Sequence, residues 1–505
     1  MNSPDRILAA FLIFSVCSGP VSSVTFAAAA AKSVIILVGD GMGVEQIRAA
    51  SLALRGADGR TAMQGLPAAG RAATHSADEG VTDPAAAATA LATGRKTNNG
   101  VLSISAGGTP LKTILEACRD AGKVTGLVSD SRITGETTAG FAVHSENAGA
   151  DYELAGMMVA AKVNLLLGGG KSHFLAPKSE AWVGVNVLDA KGKKILTITD
   201  TVNWSEYRTL THSFLAPAGA KKASVWVWRQ SGPLGLYLDD VRLEPQDDKG
   251  NVTGPGRLID PGFEGGGLEG WSDWGHSHAV PDGGSTVLKV TGQGGGEKTV
   301  DITAGTNWSV AYRVRLDDPK APGAAASPWD RAAAQGYARI ATLSELAGAR
   351  GGNILGLFGD GDLGESEGDP TLAGLTGGAL GVLGGAPGGF LLVVDGSRID
   401  RACRAKDEKS MLRQVQAFDA AVADAVEFAK RKGDVLVVVT SGYETGGVKA
   451  SGTDAGSLRV TFGGGDATAA RVPVFAFGPG SEGFTGEMDN TEIGRKIAAA
   501  LDLRL

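Results

Sequence analysis

Residues 82–100 read TDPAAAATALATGRKTNNG, and the start of this stretch is where a reactive group could be held. Asp83 suits an N-cap, and Pro84 suits the first helical position, where a missing N–H is least harmful. Ala85 to Ala92 are strong helix formers, and Gly94 suits the C-terminal stop. A helix N-terminus attracts anions through its free N–H groups and its dipole. A nucleophile at position 84 would meet a bound phosphate, yet Pro84 offers no hydroxyl, thiol or N–H. Taken alone, the stretch reads as an ordinary capped helix. Two carboxylates stand at a second kind of reactive position. Asp40 and Asp395 follow apolar runs, VIILVGD (34–40) and GFLLVVDG (389–396). In open α/β sheets ligands sit beyond the carboxyl ends of the strands.

The elements that would position these residues are legible. VTGLVSD (124–130), VNLLLGGG (163–170), DVLVVVTSG (434–442) and VPVFAFGPG (472–480) are further runs of the same kind. Continuous apolar runs of this length fit strands buried on both faces, as in a parallel sheet. Helical patterns lie between them. The clearest spans 410–432, with Met411, Val415, Phe418, Val422 and Val426 on one face and Gly433 at its end. This is an α/β layout.

Residues 178–327 differ. Seven of the eight Trp lie there, and segments such as AWVGVNVLD, ASVWVWRQS and WSVAYRVRLD alternate with a period of two. That predicts a β-sandwich. The α/β pattern resumes at Trp329, so the sandwich interrupts it.

The chain has 505 residues, 43% hydrophobic and 20% charged, with a net charge of −7. This supports a large core, and the acidic balance with no long basic run argues against a nucleic-acid binder. The N-terminal apolar run, Ile7 to Val16, is too short to span a bilayer and fits a signal peptide over 1–30. A secreted or periplasmic protein without a membrane span is therefore expected. Cys118 and Cys403 alone would remain after cleavage, giving neither a disulfide framework nor a cysteine zinc site.

Several segments together resemble the alkaline phosphatase family: VIILVGDGMG, VTDPAAAATALATGRKTNNG, ITGETTAGFAVH, FLLVVDGSRIDRACRA, VLVVVTSGYETGG, and VPVFAFGPG followed by EMDNTEIGRKIAAAL. The resemblance implies a mostly parallel sheet flanked by helices, with α/β parts at 31–177 and 328–505 around an inserted all-β jelly roll at 178–327. It also implies metal-assisted attack of a serine on a phosphate monoester, and possible homodimers. Carried over residue by residue, much of that site is replaced. The nucleophilic serine falls on Pro84 and the phosphate-gripping arginine on Ala148. Zinc-ligand positions fall on Gly442, Tyr443, Arg404 and, more loosely, Ala467. Of the six histidines, none lies after His278, although the family draws its zinc-binding histidines from the C-terminal half.

Other positions persist. Asp40, Thr137 and Asp395 fall on ligands of the family's magnesium site, whose fourth protein ligand falls on Gly135. Asp400 falls on a zinc-binding carboxylate. Arg404, four residues on, is placed to pair with it on a helix. Oxygen ligands alone favour magnesium or calcium, and zinc is expected to be absent.

In the insertion, LIDPGFEGGGLEGWSDWG (258–275) resembles the opening of a carbohydrate-binding module, and LGLYLDDVRLEP (234–245) resembles the close of one. The reversed order predicts a circularly permuted single sandwich in which 236–243 lies near 258–264. Glu264, Asp239 and Asp240 are candidate calcium ligands. Trp226 and Trp228, two apart, share one strand face and are either core or a platform for sugar rings. The expected function is a catalytically inactive binding or scaffolding protein. The alternatives are an active phosphomonoesterase with a rebuilt oxygen-ligand site and a surface protein that binds polysaccharide or another extracellular ligand.

Overall fold

The computed structural model describes the chain from residue 30 onward, except 56–58, 176–179, 232–233, 261–262, 264–267, 269, 292, 318–325 and 365–367. The expected signal segment and Glu264 thus lie outside the described residues.

The apolar runs form the centre of a ten-stranded sheet. Ser33–Val38 lies between Phe390–Asp395 and Val435–Thr440, parallel to both. Phe390–Asp395 pairs in turn with Val124–Arg132. The reason for unbroken apolar runs is visible in the packing. Val34, Ile36 and Val38 enter one core, while Ile35 and Leu37 enter another on the opposite face. Both faces are covered, so alternation with polar residues would bury unpaired groups. The sheet is mixed, because Val472–Phe477 runs antiparallel to Val435–Thr440 and to Ala68–Ala73.

Helices cover the faces. Pro84–Thr93 starts at Asp83, whose side chain accepts from the Ala86 N–H at 2.8 Å, and ends at Gly94 with φ of 66°. The long helix runs Glu408–Lys432, two residues earlier than its apolar stripe indicates. Asp407 is its N-cap and accepts from the Ser410 N–H at 3.0 Å, which leaves room for a further half-turn.

From Glu180 to Leu316 the described elements are all strands. They form two antiparallel sheets, one of five strands and one of six, around a shared core that includes Val183, Val225, Leu238 and Val310. Leu258–Asp260 pairs with Leu236–Gln246, Leu258 opposite Leu243. Trp226 and Trp228 are half-buried. They alternate with Val225 and Val227, which enter the core, so both indoles lie on the outer face of the five-stranded sheet. On either side of this unit the α/β parts join one sheet, since Leu165–Gly169 pairs with Ile354–Leu357.

Candidate active-site cleft

The carboxyl ends of the central strands open into a cleft of about 290 Å³. Asp40, Pro84, Gly135, Thr137, Asp395, Asp400, Arg404 and Tyr443 all line it. Strand register brings two of the acids together. Val38 stands opposite Asp395, and Asp40 follows two residues later. Gly41 then turns the chain with φ of 75°. A Cβ there would lie 2.7 Å from the Asp400 Cα, so only glycine permits this approach.

Asp40 is 4% exposed and Asp395 1%. Thr137 Oγ1 donates to Asp40 Oδ2 at 2.7 Å, and Ser129 Oγ donates to Asp395 Oδ2 at 2.9 Å. Each acid keeps its Oδ1 buried with no protein partner. Burial pushes Asp40 up to about 8, against the Thr137 hydrogen bond and with repulsion from Asp400 added. Burial, then the nearby Asp40, raises Asp395 well above the usual carboxylate range.

The opposite wall is built differently. In the helix Arg398–Arg404, Arg404 Nε donates to Asp400 Oδ2 at 2.7 Å. Thr445 Oγ1 donates to Asp400 Oδ1. Burial opposes the charge of Arg404, but the Asp400 hydrogen bond and charge outweigh it, and its pKa is raised. Tyr443 is 1% exposed, and its phenol is held protonated by burial and by the negative fields of Asp40 and Asp400. A side chain at Gly442 would begin 3.1 Å from Ala87 Cβ and 3.6 Å from Asp40 Oδ1.

Ala467 pairs with Thr445 across a short antiparallel ladder, beside the same wall. Ala148 is not among the cleft-lining residues; it packs against the apolar core. No histidine lines the cleft. Among the described residues no three His, Cys, Asp or Glu side chains cluster as a metal site. Asp40, Asp395 and the Thr137 hydroxyl form a smaller all-oxygen group.

The cleft also contains residues that the sequence reading passed over. Arg132 bonds Asp151 at 3.0 Å and Glu136 at 3.2 Å, and both Arg132 and Glu136 line the opening. Arg401 and Ser131 converge on Asp362, which is held down to about 2 by the Ser131 and Arg401 hydrogen bonds despite burial. Asp130 accepts from the Ser397 N–H at 3.0 Å, and burial raises it to about 6. The i, i+4 spacing of Arg132 and Glu136 was a readable signal. Asp130, last in VTGLVSD, was another.

Residues 31–208 and 327–463 match the family model for alkaline phosphatase. The chain belongs to the alkaline phosphatase family. The streptomycin-6-phosphate phosphatase of Streptomyces griseus is 29% identical, over 94% of this chain and 92% of its own length. The alkaline phosphatase of Thermus thermophilus superposes with a TM-score of 0.60 at 19% identity, covering 98% of this chain and 96% of its own. A variant of TAB5 alkaline phosphatase, with magnesium bound in its M3 site, gives a TM-score of 0.59 at 21% identity, covering 94% and 99%. These two structures agree with the chain in fold. Within this alkaline phosphatase homologue, the cleft is where the segments holding Asp40, Pro84, Thr137, Asp395 and Tyr443 converge.

In the sandwich, Asp239 and Asp240 both face Arg313. Asp239 is buried and bonds the Arg313 guanidinium, and Asp240 lies 3.3 Å from Arg313 Nε. The guanidinium thus supplies the positive charge that a calcium ion would bring.

Proposed function

We propose that this alkaline phosphatase homologue binds a ligand in its cleft without hydrolysing it. The observation that carries the reading is the Arg404–Asp400 pair, with Nε and Oδ2 at 2.7 Å. By family resemblance both positions are zinc ligands, and here a fixed organic cation neutralises the carboxylate. Pro84 at the nucleophile position, Gly442 and Tyr443 at zinc-ligand positions and Ala148 at the phosphate-arginine position support the same conclusion. A serine mechanism needs a nucleophile and metals that activate it, and each of these is replaced.

The remaining oxygens fit a hard cation. The unpartnered Oδ1 atoms of Asp40 and Asp395, with Thr137 beside them, suit magnesium or calcium completed by water. Such an ion would supply positive charge to two buried acids. Asp40 and Asp395 would hold it, and Ser129 and Thr137 would orient their second oxygens. Zinc, which favours nitrogen and sulfur ligands, does not fit this set.

The signal-like segment at 1–30 supports secretion or export to the periplasm. Among the described residues no helix is long and apolar enough to cross a membrane. A homodimer and a permuted module at 178–327 are expectations by resemblance.

The test combines metal content with turnover. After incubation with zinc, magnesium and calcium and then desalting, the protein should hold no zinc, and it should not hydrolyse an aryl phosphate. Two zinc ions per chain together with turnover would reject the proposal in favour of a working phosphomonoesterase. Streptomycin 6-phosphate, from the name of the Streptomyces relative, is a rational ligand for a binding titration.

A further inference from the structure

The two outer faces of the sandwich are finished differently. On the six-stranded sheet, Tyr207 is stacked by Arg313 at 4.2 Å and Arg315 at 4.9 Å. Arg315 also stacks on Tyr237 at 3.9 Å and pairs with Asp282 at 2.6 Å. That face is a ladder of cations, rings and carboxylates in contact with one another.

The five-stranded sheet is finished with indoles. Strand register sets its outer residues in rows. One row, across four adjacent strands, reads Gly295, Trp228, Trp182, Thr201. The next reads Glu297, Trp226, Gly184, Thr199. Residues alternate between faces along a strand, and Val183, Val225 and Val227 fill the core side, so these rows face outward. The Trp226 ring reaches Gly184, where a Cβ would clash with the Ile198 carbonyl oxygen and meet the indole at 3.0 Å. Trp274 stands beside Trp228, ring centres 6.2 Å apart and planes tilted by 53°, and is 41% exposed. Trp182, Trp226, Trp228 and Trp274 thus form one aromatic surface.

Its rim is polar and nearly neutral. Thr199, Thr201 and Gln230 are exposed. Gln230 accepts from Trp228 Nε1 at 3.0 Å, which leaves its amide N–H groups for a ligand. The one acidic side chain in these two rows, Glu297, accepts a hydrogen bond from Ser224. Flat rings present apolar faces, while hydroxyls and amides beside them offer hydrogen bonds. A ligand that matches has C–H faces and equatorial hydroxyls around a ring, and carries no charge.

We propose that the outer face of the five-stranded sheet is a binding site for neutral oligo- or polysaccharide, stacked on Trp228 and Trp274 and bordered by Thr201 and Gln230. The site is remote in sequence from the cleft residues and independent of whether the cleft is catalytic.

The test is native electrophoresis through gels containing hydroxyethyl cellulose, xylan, pullulan or galactomannan, against a gel with no polysaccharide. Retardation in at least one is expected. Trp274→Ala, and separately Thr201→Arg at an exposed position, should each weaken it about tenfold or more, and Trp228→Phe should keep part. Trp204→Phe, altering an indole whose Nε1 bonds the Val314 carbonyl at 3.0 Å, should leave retardation unchanged. Near-UV circular dichroism and melting confirm that each variant folds. Unaltered mobility in all four gels would overturn the proposal, as would equal retardation of the wild type, Trp274→Ala and Thr201→Arg. A dimer that Trp274→Ala dissociates, seen by sedimentation without retardation, would overturn it by assigning the face to a second copy of the chain.

Discussion

Arg404 and Asp400 meet at 2.7 Å across one helical turn, and Thr445 holds the carboxylate's other oxygen. The side chain of Asp400 is 15% exposed and that of Arg404 42%, so the acid is shielded and the base reaches solvent. Removing the base leaves a shielded carboxylate with one side-chain hydroxyl partner. Because Arg404 is nearly half exposed, water recovers part of the loss. Arg404→Ala should therefore cost only about 1 kcal/mol in urea unfolding. An unchanged midpoint would mean that the pair does not hold this wall.

Replacing the proline alone should not revive chemistry. Pro84→Ser is expected to show no aryl phosphate turnover above background, since the hydroxyl would have no zinc beside it to lower its pKa. Combining Gly442→Asp, Tyr443→His and Arg404→His should raise zinc retention, read by elemental mass spectrometry. Turnover by Pro84→Ser on its own would show that the cleft already activates a hydroxyl.

The buried acids predict a pH dependence opposite to that of an ordinary salt-bridged carboxylate. Asp40 rises from 3.8 to about 8 on folding, so across that interval the folded state binds more protons than the unfolded state. Stability is then highest below about pH 4 for this group and falls as pH rises through about 8. Melting temperature without divalent cations should drop between pH 5 and 9, and magnesium or calcium should restore it at the alkaline end. Asp40→Asn should flatten the slope. A melting temperature that climbs across this range in the wild type but not in Asp40→Asn would contradict the assignment.

Gly41 is a sharper structural test. Its φ of 75° and the 2.7 Å approach of the Asp400 backbone leave no space for a methyl group. Gly41→Ala should destabilise by about 1–3 kcal/mol from backbone strain alone, before any clash is counted. Thermal melting reads the loss. A neutral result would require the Asp400 helix to move.

The helix behind Pro84 was legible down to its caps, because Asp83, Pro84 and Gly94 act within a few residues of one another. The central strands were legible because both faces are buried, which writes an unbroken apolar run. What escaped was set by long-range partners. Ser131 and Arg132 reach Asp362 across 231 and 230 residues, and Arg401 reaches it across 39. No local period encodes such meetings. The indole surface divides in the same way. Trp226 and Trp228 share a face by strand geometry, but Trp182 joins them only through pairing with a distant strand.

The order of strands in the central sheet has a consequence for synthesis. Phe390–Asp395 lies between Val124–Arg132 and Ser33–Val38, so the two earlier strands do not touch each other. A nascent chain that has emerged only as far as the insertion holds apolar strands whose shared neighbour has not yet been made. Their unpaired edges invite association with other chains. The sandwich is complete before that missing strand emerges. While it folds, the first part of the α/β unit must wait without its central strand.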